Sequence, residues 1–309
     1  MNNGSSYPYN LGAVVMYNAG GGLQSWISTA DNNTTTPGAG GAFWIPLNGS
    51  GRQILASTTN FYVSPTGNDS TGNGTSVAPW LTLQHAYNYI AQNVDIAGQQ
   101  CLVNAADNTN YAPLLANIPT VGGPVIFIGD TTTPTNCVIN STSGDCFSGM
   151  GNGISLFVKG FSTISNTGSG DGGVSALSGA NVTINGNMNF GPTASLAPQI
   201  YAGLGGVMNF TTAAYSINGN ANQHICAQNG GIINMGAQAV TLNGTPAYGS
   251  GFAEVDVGGI IVCPGLTFSG SATGPRYAAN TNGVIQTNGG GPNFFPGSSA
   301  GTTNNGLYS

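Results

Sequence analysis

From about residue 100 onward, short runs of β-branched and aromatic residues are interrupted every few positions by Gly and Asn. This is the pattern of brief strands joined by turns in which positive φ is cheap. Two markers recur. Gly205-Gly206, Gly230-Gly231 and Gly258-Gly259, each followed by an apolar pair, are spaced 25 and 28 residues apart, and Asn282-Gly283-Val284-Ile285 continues the series 24 later. Ile184-Asn185-Gly186, Ile217-Asn218-Gly219, Leu242-Asn243-Gly244 and Phe268-Ser269-Gly270 form a second series, spaced 33, 25 and 26. Two markers advancing together at about 25 residues predict one supersecondary unit, of two or three short strands, repeated along an axis. The expected fold class is all-β, a right-handed parallel β-helix. Leucine-rich repeats have this length but need a Leu/Asn spacing that is missing, and a β-sandwich needs no fixed period.

Alternation within a strand then sorts residues by face. With the second Gly of each pair as zero, positions −6 and −4 are read as inward: Ile200 and Ala202, Ile225 and Ala227, Ala253 and Val255, Tyr277 and Ala279. Positions −7, −5 and −3 are read as outward: Gln199, Tyr201 and Gly203; His224, Cys226 and Gln228; Phe252, Glu254 and Asp256; Arg276, Ala278 and Asn280. Rungs stack about 4.8 Å apart, so the outward set is expected to form one continuous stripe.

Upstream, Trp80 to Ala91 has apolar residues at 80, 83, 87, 90 and 91, a helical spacing that predicts an amphipathic helix capping the strand-rich region. Residues 1–50 read as a small β module: strands at Leu11–Tyr17, Leu23–Ser28 and Phe43–Leu47, a turn at Asp31–Asn33, and two of the three tryptophans, Trp26 and Trp44. The expected organisation is this module, a linker over 51–60, a strand and capping helix over 61–98, the β-helix over 99–290 and a tail over 291–309.

Composition narrows the function. Only 4% of residues are charged, with 3 Lys+Arg (Arg52, Lys159, Arg276) against 9 Asp+Glu, a formal net charge of −6. Three cations cannot neutralise a phosphate backbone or hold an anionic lipid surface, so neither nucleic acid nor a membrane is an expected partner. The 40% hydrophobic content argues against disorder despite 51 Gly and 16 Pro. No apolar run reaches membrane-span length, and residues 1–6 lack the basic and apolar regions of an export signal, which points to synthesis in a cytoplasm. The five cysteines, Cys101, Cys137, Cys146, Cys226 and Cys263, show no metal spacing and read as small buried thiols. No metal site or cofactor is expected.

The outward stripe concentrates scarce chemistry: one of two histidines, one of three cations and two of nine anions. Glu254 and Asp256, two apart on one strand, would have backbones about 6.5–7 Å apart, compatible with the acid and base of an inverting glycosidase, with Arg276 orienting an acidic sugar. The competing reading is an ordinary solvated strand face. Trp26 and Trp44 read either as core of a small module or as sugar-stacking platforms. Asp69, Asp107, Asp145 and Asp171 are read as turn residues, His85 as a packing residue, and Gly168–Gly173 lacks the Lys-Ser/Thr of a phosphate loop.

Three segments carry resemblances. Tyr9–Tyr17, Trp26-Ile27-Ser28, Asp31–Thr35 with Pro37-Gly38, and Trp44–Leu47 resemble a module common in bacteriophage tail-fibre proteins, itself similar to short chitin-binding-type modules. Tyr62–Asp69 through Pro79–Ala86 resembles the entry to pectate-lyase-like β-helices, where it forms a strand and a capping helix. Gly270–Ser309 resembles a terminus recurrent among phage and prophage tail proteins. The resemblance implies a virion fibre or spike, made in the host cytoplasm, homotrimeric and joined to other tail proteins, that binds host-surface polysaccharide. Trp26, Trp44, Tyr201, His224, Gln228, Arg276 and Asn280 are the candidate glycan-binding residues. The alternatives are a capsule or lipopolysaccharide depolymerase using Glu254 and Asp256, and a spacer without a ligand.

Overall fold

The Gly pairs mark one corner of a three-sided solenoid. The computed structural model describes residues 8–18, 23–39, 42–46, 52–107, 109–165, 172–194, 197–211 and 213–309; Leu47, Asp171 and most of Gly168–Gly173 lie outside them. It is an all-β parallel solenoid of about 8 turns with rungs of about 26 residues. A ten-stranded sheet runs from Thr59–Val63 to Leu307–Tyr308, a seven-stranded sheet from Thr109–Tyr111 to Thr267–Ser269, and an eight-stranded sheet from Leu114–Ala116 to Thr302–Asn304.

At the corner from the eight-stranded to the ten-stranded sheet, two consecutive residues are left-handed. Leu204, Asn229, Val257 and Thr281 have φ of 53°, 52°, 46° and 36°, and the next residues, Gly205, Gly230, Gly258 and Asn282, have φ of 74°, 74°, 72° and 60°. The second Gly serves a different need. A Cβ at Gly206, Gly231 or Gly259 would overlap the carbonyl oxygen of Ala176, Ala202 or Ala227 on the rung below. Ala180 takes that place one rung earlier, where it lies above Gly149. One Gly therefore supplies the backbone turn and the other the close approach of rungs.

This corner sets the register. Cys101, Val125, Leu156, Val182, Met208, Ile233, Ile261 and Ile285 stack in line down the ten-stranded sheet, all fully buried. Each such side chain contributes about 1.5–3 kcal/mol by leaving water. All eight residues read as inward on the eight-stranded sheet are buried. The second marker is less regular: Ile217 pairs with Leu242, but Phe268 pairs with Val240, and Ile184 belongs to the ten-stranded sheet. The spacing of 33 in that series joins two different faces.

The helix spans Leu83–Asn93 and buries Leu83, Ala86, Tyr87, Ile90 and Ala91. It starts later than Trp80 because Thr82 is its N-cap, accepting from the His85 N–H at 3.1 Å. Asp69 ties the preceding loop to this cap: Oδ1 accepts from the Leu81 and Thr82 N–H groups at 2.7 and 3.1 Å, and Oδ2 from Thr82 Oγ1 at 2.7 Å. Trp80 is buried against Phe61, with ring centroids 5.3 Å apart, and His85 also packs against it at 5.6 Å. All five cysteines are free and buried.

The N-terminal strands Val14–Asn18, Leu23–Ser28 and Trp44–Pro46 form a separate antiparallel sheet in that order. The first begins three residues later than Leu11, since Leu11-Gly12 is a turn.

Candidate functional site

The outer side of the eight-stranded sheet carries most of the expected stripe, with a change of phase. Across the strands Pro198–Gly203, Ala221–Gln228 and Tyr248–Asp256, Tyr201, Cys226 and Glu254 stack in one outer row, and Gly203, Gln228 and Asp256 in the next. Positions −5 and −3 therefore face out as expected. Position −7 does not on three of its four rungs, Arg276 being the exception. His224 is 0% exposed, and Gln199 and Phe252 are buried with it. The strand bends there: His224 and Ile225 both turn inward, the ladder skips the Gln199–His224 and His224–Phe252 partners, and the alternation inverts upstream so that Gln223 joins the outer side. His224 is thus corrected from a surface ligand-binding residue to a core residue.

In the core, His224 is fully satisfied. Nδ1 lies 2.8 Å from Gln199 Oε1 and Nε2 2.9 Å from the Tyr215 hydroxyl. Gln199 Nε2 donates to the carbonyls of Gly191 and Gly219 at 2.7 and 3.0 Å. Its Oε1 can only accept, so the imidazole proton sits on Nδ1 and Tyr215 donates to Nε2. Burial pulls the His224 pKa down to about 3 and keeps the ring neutral.

On the outer side, Tyr201 lies along its own strand over Gly203: a Cβ at Gly203 would stand 2.6 Å from the Tyr201 hydroxyl and 2.7 Å from Cζ. The missing side chain makes the room for the ring. Around it opens a concavity of about 300 Å³ lined by Asp145, Tyr201, Gln223, Cys226 and Gln228, among others. Gln223 is 5% exposed; its Nε2 donates to Glu254 Oε2 at 2.6 Å, and its buried Oε1 has no donor. Such an orphan acceptor costs about 1–3 kcal/mol. Asp145 Oδ1 accepts from the Gly172 N–H at 2.7 Å. Burial, with smaller contributions from Cys226 and Asp145, raises the Tyr201 pKa and keeps the phenol a neutral donor. Burial, then Glu254 and Asp256, pushes the Cys226 thiol well up, so it is no nucleophile.

The acidic pair is engaged structurally: Glu254 holds Gln223, and Asp256 Oδ1 accepts from the Val257 N–H of the corner at 2.9 Å. Arg276 does not reach over this pair to orient a sugar. Its Nη1 donates to the Ser299 carbonyl at 3.0 Å, and it lines a different concavity with Phe294 and Asn293. Asn280 is half-buried in the Asp256 row, one rung on, and its carbonyl accepts from Gly283 N–H at 2.7 Å.

In the N-terminal sheet, Trp44 is 6% exposed, packs edge-on against Tyr9 at 5.1 Å and donates from Nε1 to the Thr35 carbonyl at 2.8 Å. Its ring is core, not a platform, because a sheet this small needs it for burial. Trp26 is half-buried, with its Nε1 enclosed and unbonded.

Sequence reasoning missed Gln223, which strict alternation places inside, and Asp145, which it assigned to a turn. The signal for Gln223 was the run Gln223-His224 at the start of a strand otherwise apolar on its inner face. Fold and face together define a parallel β-solenoid with a shallow, acceptor-rich depression on one sheet. No protein-family model, curated protein or solved structure matches the chain.

Proposed function

We propose that the protein is an elongated fibre or spike component of a virion, made in the host cytoplasm, homotrimeric and attached to other tail proteins, that recognises host-surface polysaccharide. The observation that carries the binding part is Tyr201, laid over Gly203 beside Gln228 and the unfilled Gln223 carbonyl. An amphipathic ring flanked by amides is suited to stacking on a sugar and bonding its hydroxyls. The virion assignment is supported by the three sequence resemblances, and by a strand and helix where the β-helix entry was expected. Stacked rungs suit an exposed fibre because each buries its neighbour's core.

The test is to incubate the purified protein with capsule and lipopolysaccharide extracts, following retained glycan and released reducing ends together. Retention without release, weakened by Tyr201→Ala and unaffected by Trp44→Phe, is expected. Release that disappears in Glu254→Gln or Asp256→Asn would instead assign a depolymerase, and no retention on any extract would leave a spacer.

A further inference from the structure

The depression on the eight-stranded sheet has a chemical bias that selects among glycans. Its amide is oriented unambiguously. Glu254 Oε2 can only accept, so the group facing it at 2.6 Å is the Gln223 NH₂, and the carbonyl Oε1 is the unpartnered acceptor of a side chain that is 5% exposed and lines the concavity. The charges around it have one sign. Asp145 lines the concavity, Glu254 and Asp256 stand on the adjoining rung, and no Lys or Arg is among the lining residues. Arg276 is committed to Ser299 elsewhere. A volume of about 300 Å³ is at the low end for ligand sites, room for one ring.

We propose that this depression seats a single uncharged hexose of a surface glycan, stacked on Tyr201, with one hydroxyl donating to Gln223 Oε1, and that Glu254 is the positioning residue that aims that oxygen. The inference rests on the glycan-binding reading. Uronate, sialate, sulfate and phosphate groups are disfavoured because they would meet carboxylates and find no cation. Glu254 then acts through Gln223 rather than on the sugar.

The experiment is a titration of the full chain with neutral polysaccharides (glucan, mannan, galactan) and with uronate- and sialate-bearing ones, for the wild type and for Gln223→Met, Gly203→Ala, Glu254→Ala and Glu254→Gln. Thermal melts confirm that each variant is folded. Neutral glycans should bind and acidic ones should not. Gln223→Met should weaken binding about tenfold, the loss of one hydrogen bond to a buried group. Gly203→Ala, which displaces the Tyr201 ring and its hydroxyl while leaving the amides and carboxylates in place, should also weaken it. Glu254→Ala should weaken it, and Glu254→Gln, which still accepts from the amide, should restore most of the affinity. Preference for acidic glycans overturns the proposal, as does neutral binding left unchanged by both Gln223→Met and Gly203→Ala; in those cases glycan binding itself stands. Binding of neither class overturns the glycan reading and this inference with it.

Discussion

The imidazole of His224 donates from Nδ1 to Oε1 of Gln199, one rung below, at 2.8 Å, and this bond joins two rungs through the interior of the solenoid. Neutral His224 is what the network requires, since a protonated ring would present a second donor to the Tyr215 hydroxyl and a charge to the core.

Acid should therefore unfold the protein through this residue. The folded pKa is about 3 against an ordinary value of 6.5, so the unfolded chain binds the proton first. The contribution is fully present above pH 6.5 and is lost as pH falls from there toward 3. At pH 4.5 the loss is about 3 kcal/mol. Asp130, held below the usual range by Thr133 N–H and Asn136, adds in the same direction at lower pH. Denaturant unfolding at pH 7 and 4.5 should show the drop in the wild type and a much flatter dependence in His224→Gln. Equal pH dependence of the two would sink the assignment.

The thiols should be silent. Burial raises Cys101, Cys137 and Cys263 to about 12 and Cys226 well above its ordinary value. A thiol-reactive chromophore should label none of these four in the native protein within minutes and all of them in denaturant. Rapid native labelling of Cys226 would contradict its burial between Tyr201 and Glu254 in the outer row.

At the corner, two adjacent glycines should respond in opposite ways. Gly230→Asn is expected to cost little, because the position is open and Asn accepts φ of 74°; Asn282 already holds the equivalent place. Gly231→Ala must push the backbone off the Ala202 carbonyl and should cost about 2–3 kcal/mol. Melting temperatures of the two variants decide it, and similar values would refute the division of labour.

Asp69 and Thr82 share one hydrogen bond and one helix start. Asp69→Ala should destabilise by about 1–3 kcal/mol and Thr82→Ala by about 1 kcal/mol. The double variant should lose less than the sum, because each single change already breaks the common bond. Additive losses would show that the two act independently.

The Gly pairs made the fold legible because one geometric demand, a left-handed pair followed by a close backbone approach, leaves the same residues at every rung. The inner face followed from it: Ile200, Ile225, Ala253 and Tyr277 stack as the alternation requires. Alternation failed where the strand bends. The polar pair Gln223-His224 interrupts an apolar inner face, but no local pattern says that His224 and Ile225 both turn inward, so alternation puts His224 on the surface and Gln223 inside. Trp44 was ambiguous for another reason, as an indole in a sheet of three short strands serves as core or as platform depending on packing that no local pattern encodes. Asp145 reached the depression only through the folding of two rungs that are 56 positions apart at Asp145 and Tyr201.

The identical corners also make length a separable property of the molecule. Joining Gly258 directly to Gly283 would remove one storey and leave a corner of the same shape, with the Tyr201 depression untouched below it. Each storey added or lost changes the reach of the shaft by about 4.8 Å. Duplication and deletion of gene segments can thus tune how far such a shaft extends without renegotiating what it holds.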